Sequence, residues 1–189
     1  MRGIEKIATS NELVEGCRQG SLPSFESLYE EHGARMKSIA RNLLGSAPEA
    51  EDAVQDAFLK VYRGLGRFRG GSAFSTWVYR ILVNVCYDRL RSRRRRQIVE
   101  RPMPAAIALA PAGETDHPLR LAIEAALSRL EERERAAFLL CEVEGFSHRE
   151  AGEILEVSEG SSRALLFKAR RRLQRELRAG GAFASAEAP

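Results

Sequence analysis

The chain has 189 residues, enough for one medium-sized domain or two small ones with modest cores. Hydrophobic residues make up 44% of it and charged residues 30%, a balance that is ordinary for a globular protein and excludes wholesale disorder. The net charge of +4 is only mildly basic, and no stretch resembles a signal peptide or a membrane-spanning helix, so we expect a cytoplasmic protein.

Apolar residues recur mostly with the spacing of an α-helix, and no segment long enough for a β-strand shows alternating apolar and polar residues. We therefore predict an all-α protein. Capping residues support two of the helix starts, Ser46 with Glu49 and Ser147 with Glu150. The predicted helices span residues 10–19, 24–44, 47–64, 73–95, 117–130, 132–144, 147–155 and 159–178.

The segment from Gln97 to Pro118 carries four prolines and has no sustained periodicity. Proline at that density stops helices and keeps a chain extended, which predicts a flexible linker between two small helical domains. We place the first domain at residues 10–96, the linker at 97–116 and a helix-turn-helix domain at 117–179. The small, polar tail at 180–189 is predicted to be disordered.

Basic residues are concentrated in two stretches. The stretch from Arg63 to Val99 contains ten arginines and a single acid, Asp88. The stretch from Arg163 to Arg178 contains seven basic residues and a single acid, Glu176. Solvated helix faces would explain either stretch by itself. Two such stretches far apart in the chain indicate two nucleic-acid contacts.

The predicted helix 47–64 has a polar face with Leu59 at its centre, opposite an apolar stripe. Burial in the helix's own core cannot explain Leu59, which leaves two interpretations: an ordinary exposed leucine, or an anchor for a protein partner. The apolar stripe comprises Ala50, Ala53, Val54, Ala57, Phe58, Val61, Tyr62 and Leu65.

The next helix follows a flexible basic loop, Arg67 to Ser72, and gathers polar and basic residues within a narrow arc. Arginines neutralise phosphates, aromatic rings stack on unpaired bases and an amide hydrogen-bonds a base edge, which together favour unpaired DNA. Phe74 and Trp77 are expected to be core residues over most of their surface, and Asp88 to pair with an arginine such as Arg91. The arc comprises Thr76, Arg80, Asn84, Tyr87 and Arg91.

Near the C-terminus a short amphipathic helix, a turn at Glu156–Ser158 and a basic helix follow one another. This order, with small residues at the start of the second helix, predicts a helix-turn-helix that enters a major groove. The outward face of the second helix comprises Ser161, Ala164, Lys168, Arg171, Arg172 and Arg175.

Nothing in the sequence predicts an enzyme, a cofactor or a metal site. There is no Gly-rich phosphate loop, and the histidines lie in no metal or catalytic motif: His32, His117 and His148. We expect His148 to be exposed on its helix. The cysteines are predicted to be buried, inert thiols, with redox activity as the alternative: Cys17, Cys86 and Cys141.

The chain also resembles a known family, bacterial RNA polymerase sigma factors of the extracytoplasmic-function group, which keep only the second and fourth sigma domains. Four blocks carry the resemblance: FESLYEEHGARMKSIARNLLG, AEDAVQDAFLKVYRGLGRFRG, SAFSTWVYRILVNVCYDRLRSRRRR and LEERERAAFLLCEVEGFSHREAGEILEVSEGSSRALLFKARRRLQREL. Their order and the linker between the third and fourth make the match specific.

The resemblance implies a non-catalytic subunit that binds core RNA polymerase, directs it to −10 and −35 promoter elements, and is held inactive by an anti-sigma factor. The alternative is a stand-alone helix-turn-helix regulator, although the first domain shows no ligand pocket or dimerisation heptads. Implied contacts with the clamp helices of the polymerase are Asp52, Gln55, Asp56, Leu59 and Arg63. Implied contacts with the melted −10 element are Phe68, Arg69, Ser72, Phe74, Thr76, Trp77, Arg80, Asn84, Tyr87 and Arg91. Expected contacts with the −35 duplex are Ser161, Arg163, Ala164, Phe167, Lys168 and Arg171.

The recognition helix departs from the family's usual pattern. Ser162 stands where relatives often carry a buried β-branched residue, Leu165 replaces a common basic residue and Phe167 replaces a common histidine. These three positions leave the individual −35 base contacts open.

Overall fold

A computed structural model describes residues 10–68, 70–99 and 118–179. These residues form helices and connecting turns with no strand, which confirms the all-α fold class. None of the described helices is long and apolar enough to cross a membrane. The α-helices are α1 (Ser10–Arg18), α2 (Leu22–Leu44), α3 (Ala47–Gly64), α4 (Phe74–Val99), α5 (Pro118–Ser128), α6 (Glu132–Phe138), α7 (His148–Leu155) and α8 (Glu159–Ala179).

Local capping explains where several helices begin. The Ser46 hydroxyl accepts a hydrogen bond from the Glu49 amide at 3.4 Å, as predicted. The predicted capping box is also present: the Glu150 amide donates to Ser147 Oγ at 3.2 Å, and the Ser147 amide donates to Glu150 Oε2 at 2.9 Å. Two orphan amides of α7 are thereby satisfied. Helix α2 begins two residues earlier than predicted because Ser21 caps it.

The largest differences from the predicted extents are in α4 and α6. Helix α4 continues to Val99, so its last turn lies in the segment that the sequence assigned to the linker. The predicted helix 132–144 is divided, because α6 ends at Phe138 and a π-helical turn, Leu139–Val143, follows it. Periodicity alone cannot detect this change, since the apolar pattern continues through it. Arg69, His117, the linker beyond Val99 and the tail 180–189 lie outside the described residues.

Helices α1–α4 form lobe one, with α2, α3 and α4 packed against one another around a continuous apolar core. The stripe predicted on α3 is buried, with one exception. Tyr62 is 51% exposed, and its ring meets that of Phe25 of α2 in a T-shaped contact at a centroid distance of 5.4 Å. The prediction for Tyr62 is wrong because it lies at the margin of the stripe, where one aromatic contact leaves half of the side chain exposed.

Helices α5–α8 form lobe two, in which α8 packs against each of the other three helices. One cluster joins α5 to the inner face of α8: Ala126, Leu127, Leu130, Ala169 and Leu173. The two lobes also pack directly on each other, chiefly α4 on α7, and the main core continues from lobe one into lobe two. The sequence predicted the two lobes but not this contact.

Candidate nucleic-acid and protein interfaces

The loop before α4 is built on a cluster of three aromatic rings. The Phe68 ring centroid lies 5.1 Å from that of Trp77 and 5.4 Å from that of Phe74. Arg18 of α1 donates to the backbone carbonyls of Leu65 and Phe68, which holds the start of the loop in place. Phe74 is buried, whereas Phe68 and Trp77 are half-buried, so part of each of these rings remains available to a ligand.

The arc predicted on α4 is only partly accessible. Asn84 and Arg91 are exposed, and Arg91 pairs with Asp88 as the sequence predicted. Thr76, by contrast, is 1% exposed, and its hydroxyl has no hydrogen-bond partner. The prediction that Thr76 faces solvent is therefore wrong for this arrangement of the lobes.

Lobe two covers the inner part of this arc. Helix α7 packs on α4, and the half-buried Arg80 donates from Nε to the Glu153 backbone carbonyl of α7 at 2.8 Å. The Tyr87 hydroxyl is also buried and has no hydrogen-bond partner, and burial raises the pKa of Tyr87. Polar groups that are buried without partners cost free energy, so the Tyr87 and Thr76 hydroxyls both disfavour this closed packing.

The interface between the lobes has its own polar contacts. Arg35 of α2 donates from Nε to Glu144 Oε2 of lobe two at 2.6 Å, and its guanidinium carbon lies 4.5 Å from the Phe146 ring centroid. Tyr79 of α4 meets the Phe146 ring at a centroid distance of 5.1 Å. Arg94 pairs with Glu132 at 3.1 Å. These pairs could not be predicted from local patterns, because their partners lie far apart in the chain.

The polar face of α3 is accessible. All five of the residues predicted there are exposed, and Leu59 at the centre is 53% exposed. Arg89 of α4 pairs with two of the acids, with Asp56 at 2.5 Å and with Asp52 at 3.9 Å. The exposed Tyr62 lies one turn beyond Leu59 and enlarges the apolar part of this surface.

Helices α7 and α8 form a helix-turn-helix with a tight connection. Glu156 adopts the left-handed conformation at φ 55°, which ends α7 and redirects the chain. A Cβ at Gly152 would lie 2.9 Å from the Val157 carbonyl oxygen, so the close approach of the turn to α7 requires glycine. The Ser161 amide donates to Ser158 Oγ at 3.1 Å, which caps the start of α8.

The outward face of α8 is exposed except at Arg172, for which the prediction is wrong: Arg172 is half-buried because it pairs with Glu134 of α6 at 3.1 Å. All six residues predicted to contact the −35 duplex are exposed, including Phe167, and a shallow groove between α8 and Glu134 of α6 is lined by further basic side chains. The inner face is buried through Leu166, Ala169 and Leu173. The helix therefore separates an apolar packing face from a basic outer face.

Ser162 and His148 occupy the junction of the two helices. Ser162 is fully buried, and its hydroxyl lies 3.4 Å from Nδ1 of His148, which in turn lies 3.7 Å from the Cys141 sulfur. The prediction that His148 is exposed is thus wrong, because it is half-buried between the π-helical turn and α8. A hydroxyl is tolerated at position 162 because it has this hydrogen-bonding partner.

The cysteines follow the sequence prediction with one difference. Cys17 and Cys86 are buried, whereas Cys141 is half-buried. Burial raises the pKa of all three thiols, that of Cys86 to about 12. Raised thiol pKa values disfavour the thiolate, the reactive form of cysteine. Within the described residues, no three His, Cys, Asp or Glu side chains converge on a possible metal site.

Two family models match this chain. Sigma-70 region 2 matches residues 28–96, which fall in lobe one, and sigma-70 region 4 matches residues 120–173, which fall in lobe two. The curated relatives include the ECF RNA polymerase sigma factor SigM of Mycobacterium tuberculosis, 34% identical over 88% of this chain and 83% of its own length. The ECF RNA polymerase sigma-E factor of Escherichia coli is 31% identical over 86% of this chain and 91% of its own.

A solved structure extends the similarity to three dimensions. It is the sigma factor RpoE of Bartonella quintana in complex with the anti-sigma factor NepR. The match covers 83% of this chain and 98% of the RpoE chain, with a TM-score of 0.71 and 28% sequence identity. With the relatives and both family models, this match leads to one identification. The chain belongs to the extracytoplasmic-function group of the sigma-70 family, whose members bind core RNA polymerase and direct transcription initiation at promoters.

Proposed function

We propose that this sigma factor binds the polymerase, the −10 element and the −35 element through three separate surfaces, and that it supplies no catalytic group of its own. The polar face of α3 binds the clamp helices of the polymerase, the loop and outer arc of α4 bind the melted −10 element, and the outer face of α8 binds the −35 duplex. The observation that carries this proposal is the exposure of Leu59 amid acids, on the same chain as an open basic helix.

The division agrees with the chemistry of each surface. Phosphates are neutralised by arginine and lysine, which the outer face of α8 supplies. Unpaired bases stack on aromatic side chains, and lobe one offers the half-buried rings of Phe68 and Trp77 together with the exposed amide of Asn84. Capturing a flipped base costs about a few kcal/mol of stacking, so the protein must offer new contacts there.

The −10 contact requires the lobes to separate. Arg80 donates to the backbone of α7, so it cannot meet DNA while lobe two stays in place, and Thr76 is buried in the same arrangement. The closed arrangement is that of a free or inhibited subunit. We further propose that the chain acts in the cytoplasm with the polymerase and is held inactive by an anti-sigma factor. The sigma factor of the similar solved structure is itself bound to an anti-sigma factor.

The proposed polymerase-binding surface on α3 is tested by replacing the leucine at its centre with a charged residue. Leu59→Arg removes the exposed leucine and adds a cation beside Arg63, and truncation of a central interface anchor costs about 2 kcal/mol or more. We expect affinity for core polymerase to fall about 30-fold or more, with a matching loss of run-off transcript. Surface plasmon resonance on immobilised core polymerase measures the first effect.

The matched control is Leu121→Arg, the same change at a leucine of α5 that is 45% exposed. It is expected to leave polymerase affinity unchanged. Equal affinity of the Leu59→Arg variant and the unmodified protein would refute the α3 surface. Failure of the unmodified chain to yield any promoter-dependent transcript with core polymerase would refute the whole division of roles.

A further inference from the structure

Phe167 is an exposed aromatic residue on the outer face of the recognition helix. It is 60% exposed, while its neighbours Leu166 and Ala169 are buried on the inner face of α8. Phe167 belongs to neither buried apolar cluster of the described residues. Its ring therefore contributes little to the packing of lobe two, and the fold does not explain its presence.

The ring lies among cations and is held beside one of them. It lines the shallow groove together with Lys168, Arg171 and Arg175. The guanidinium carbon of Arg171, one turn further along α8, lies 5.7 Å from the Phe167 ring centroid. A cation at that distance from an aromatic ring is attracted to it, so each side chain restricts the rotamers of the other.

The DNA major groove offers few groups that a phenyl ring can recognise. The edges of the base pairs carry hydrogen-bond donors and acceptors, and thymine adds a C5-methyl group, the apolar feature of the groove. A phenyl ring has no hydrogen-bonding group and distinguishes bases through apolar contact alone. Ala164, one turn before Phe167, is small and exposed, which leaves space for a base pair to approach the ring.

We propose that Phe167 selects a thymine in the −35 element by packing against its C5-methyl group. Arg171 acts as a positioning residue that holds the ring toward the groove. This inference rests on the proposed role of α8 in −35 binding and specifies one base chemistry within it. Loss of the methyl contact should weaken binding about fourfold, the effect of one buried methyl-sized group.

The experiment uses the intact protein in complex with core polymerase. Duplexes that carry a −35 element are first selected from a random library with this holoenzyme. In the best duplex, each thymine is then replaced singly by deoxyuridine, which lacks only the methyl group, or by 5-bromodeoxyuridine, whose bromine has about the size of a methyl group. Dissociation constants are measured for the unmodified protein, Phe167→Ala and the control Lys168→Ala.

We expect one thymine, or two adjacent ones, at which deoxyuridine weakens binding about fourfold and bromodeoxyuridine does not. Phe167→Ala should lose this response. Lys168→Ala should keep it while binding all duplexes more weakly, because a lysine–phosphate contact is insensitive to sequence. Both side chains are exposed, so unchanged thermal unfolding of the two variants is expected and is checked alongside.

The possible failures are distinguishable. If selected duplexes bind but no thymine responds to loss of its methyl group, the inference is overturned and the role of α8 stands. If no duplex sequence is enriched by the holoenzyme, the proposed role of α8 is itself refuted. If Phe167→Ala keeps the thymine response but weakens binding of the polymerase, the ring contacts a protein and the inference is overturned.

Discussion

The two candidate DNA surfaces of this sigma factor are in different states in the same structure. On α8 every residue expected to contact the −35 duplex is exposed, whereas on α4 the inner part of the −10 surface lies under α7. The difference follows from the side on which each helix packs. Helix α8 packs on its own lobe through its apolar inner face, while α4 is sandwiched between α3 and lobe two.

The contrast implies an order of events. A duplex can reach α8 without any change in the protein, but an unpaired base can reach Arg80 only after the lobes part. The unpartnered hydroxyl of Tyr87, which lies near charged residues of α6, lowers the cost of that separation because it gains a hydrogen-bond partner in water. Separation is opposed by the contacts of Arg35 and Phe146.

Among the tests of this contrast between α4 and α8, the largest expected effect comes from breaking the closed arrangement with Arg35→Glu. The variant places two carboxylates opposite each other, and Glu144 is largely buried, so the interface loses about 1–3 kcal/mol. We expect the free protein to bind a single-stranded −10 oligonucleotide about tenfold more tightly. Fluorescence anisotropy measures this affinity, and spin labels on α3 and α8 report the distance between the lobes.

The double variant Arg35→Glu with Glu144→Arg should restore the closed state. Arg129→Glu serves as the matched control, because it breaks a 2.7 Å pair with Glu176 that lies within lobe two. It should leave the single-strand affinity unchanged. Unchanged affinity in Arg35→Glu, with the lobes shown to be apart, would mean that lobe two does not limit access to the −10 surface.

Local patterns in the sequence predicted α8 much better than α4. The outer face of α8 follows directly from helical periodicity, since one face packs and the opposite face meets solvent. On α4 the same reasoning placed Thr76 outward, but it is buried. The packing of lobe two on α4 could not be predicted either, because it depends on pairs such as Arg35 with Glu144, separated by more than one hundred residues.

Two further features of lobe two could not be predicted from the sequence, one in its side-chain contacts and one in its backbone. Ser162 departs from the family pattern, yet it fits because the His148 imidazole meets its hydroxyl. Neither residue reveals this from sequence, since a histidine in a capping segment is usually exposed. The change from α6 to the π-helical turn at Leu139 is equally hidden, because it moves backbone hydrogen bonds without altering the apolar pattern.

A smaller effect should separate the two DNA surfaces from each other. Asn84 is exposed on α4, and loss of its amide removes about 1 kcal/mol of hydrogen bonding to an unpaired base. We expect Asn84→Ala to slow open-complex formation about fivefold while leaving duplex −35 binding unchanged. Permanganate reactivity of unpaired thymines follows the first quantity, and gel-shift titration with a −35 duplex measures the second.

Lys168→Ala, on α8, is expected to have the opposite effects: weaker duplex binding with unchanged melting. It should weaken duplex binding uniformly across sequences and reduce the dependence of log affinity on log salt by about one unit, with melting unaffected once the complex has formed. If Asn84→Ala and Lys168→Ala changed duplex binding and melting to the same degree, the two surfaces would not have separate roles.

The smallest expected effect concerns pH, and it should distinguish the interior of lobe one from the helix-turn-helix. His32 of α2 is buried, and its Nδ1 lies 3.4 Å from the Tyr79 hydroxyl of α4. Burial lowers the pKa of His32 and nearby Arg35 lowers it further, while Glu31 acts in the opposite direction. The imidazole is therefore neutral in the folded protein at pH 7.

A lowered histidine pKa means that the unfolded chain takes up the proton more readily. The resulting stabilisation is complete above the ordinary histidine pKa of about 6.5 and is lost as the pH falls below it. In lobe two, hydrogen bonds from Ser147 lower the pKa of Glu150, so the stabilisation due to this carboxylate is lost only on acidification below the ordinary value of 4.5. Between pH 7 and 5, acid should thus weaken α2 and α4 through His32, whereas the contribution of Glu150 to α7 is retained.

Hydrogen exchange, corrected for the intrinsic pH dependence of the amides, measures protection helix by helix over this range. His32→Gln keeps a hydrogen-bonding side chain of similar length but cannot take up a proton, so it should abolish the loss of protection in α2 and α4. An equal loss in α7, or one that persists in His32→Gln, would assign the acid sensitivity to another group. A loss confined to α2 and α4 would show that acid loosens lobe one, including the helix that lobe two covers, before it affects the helix-turn-helix.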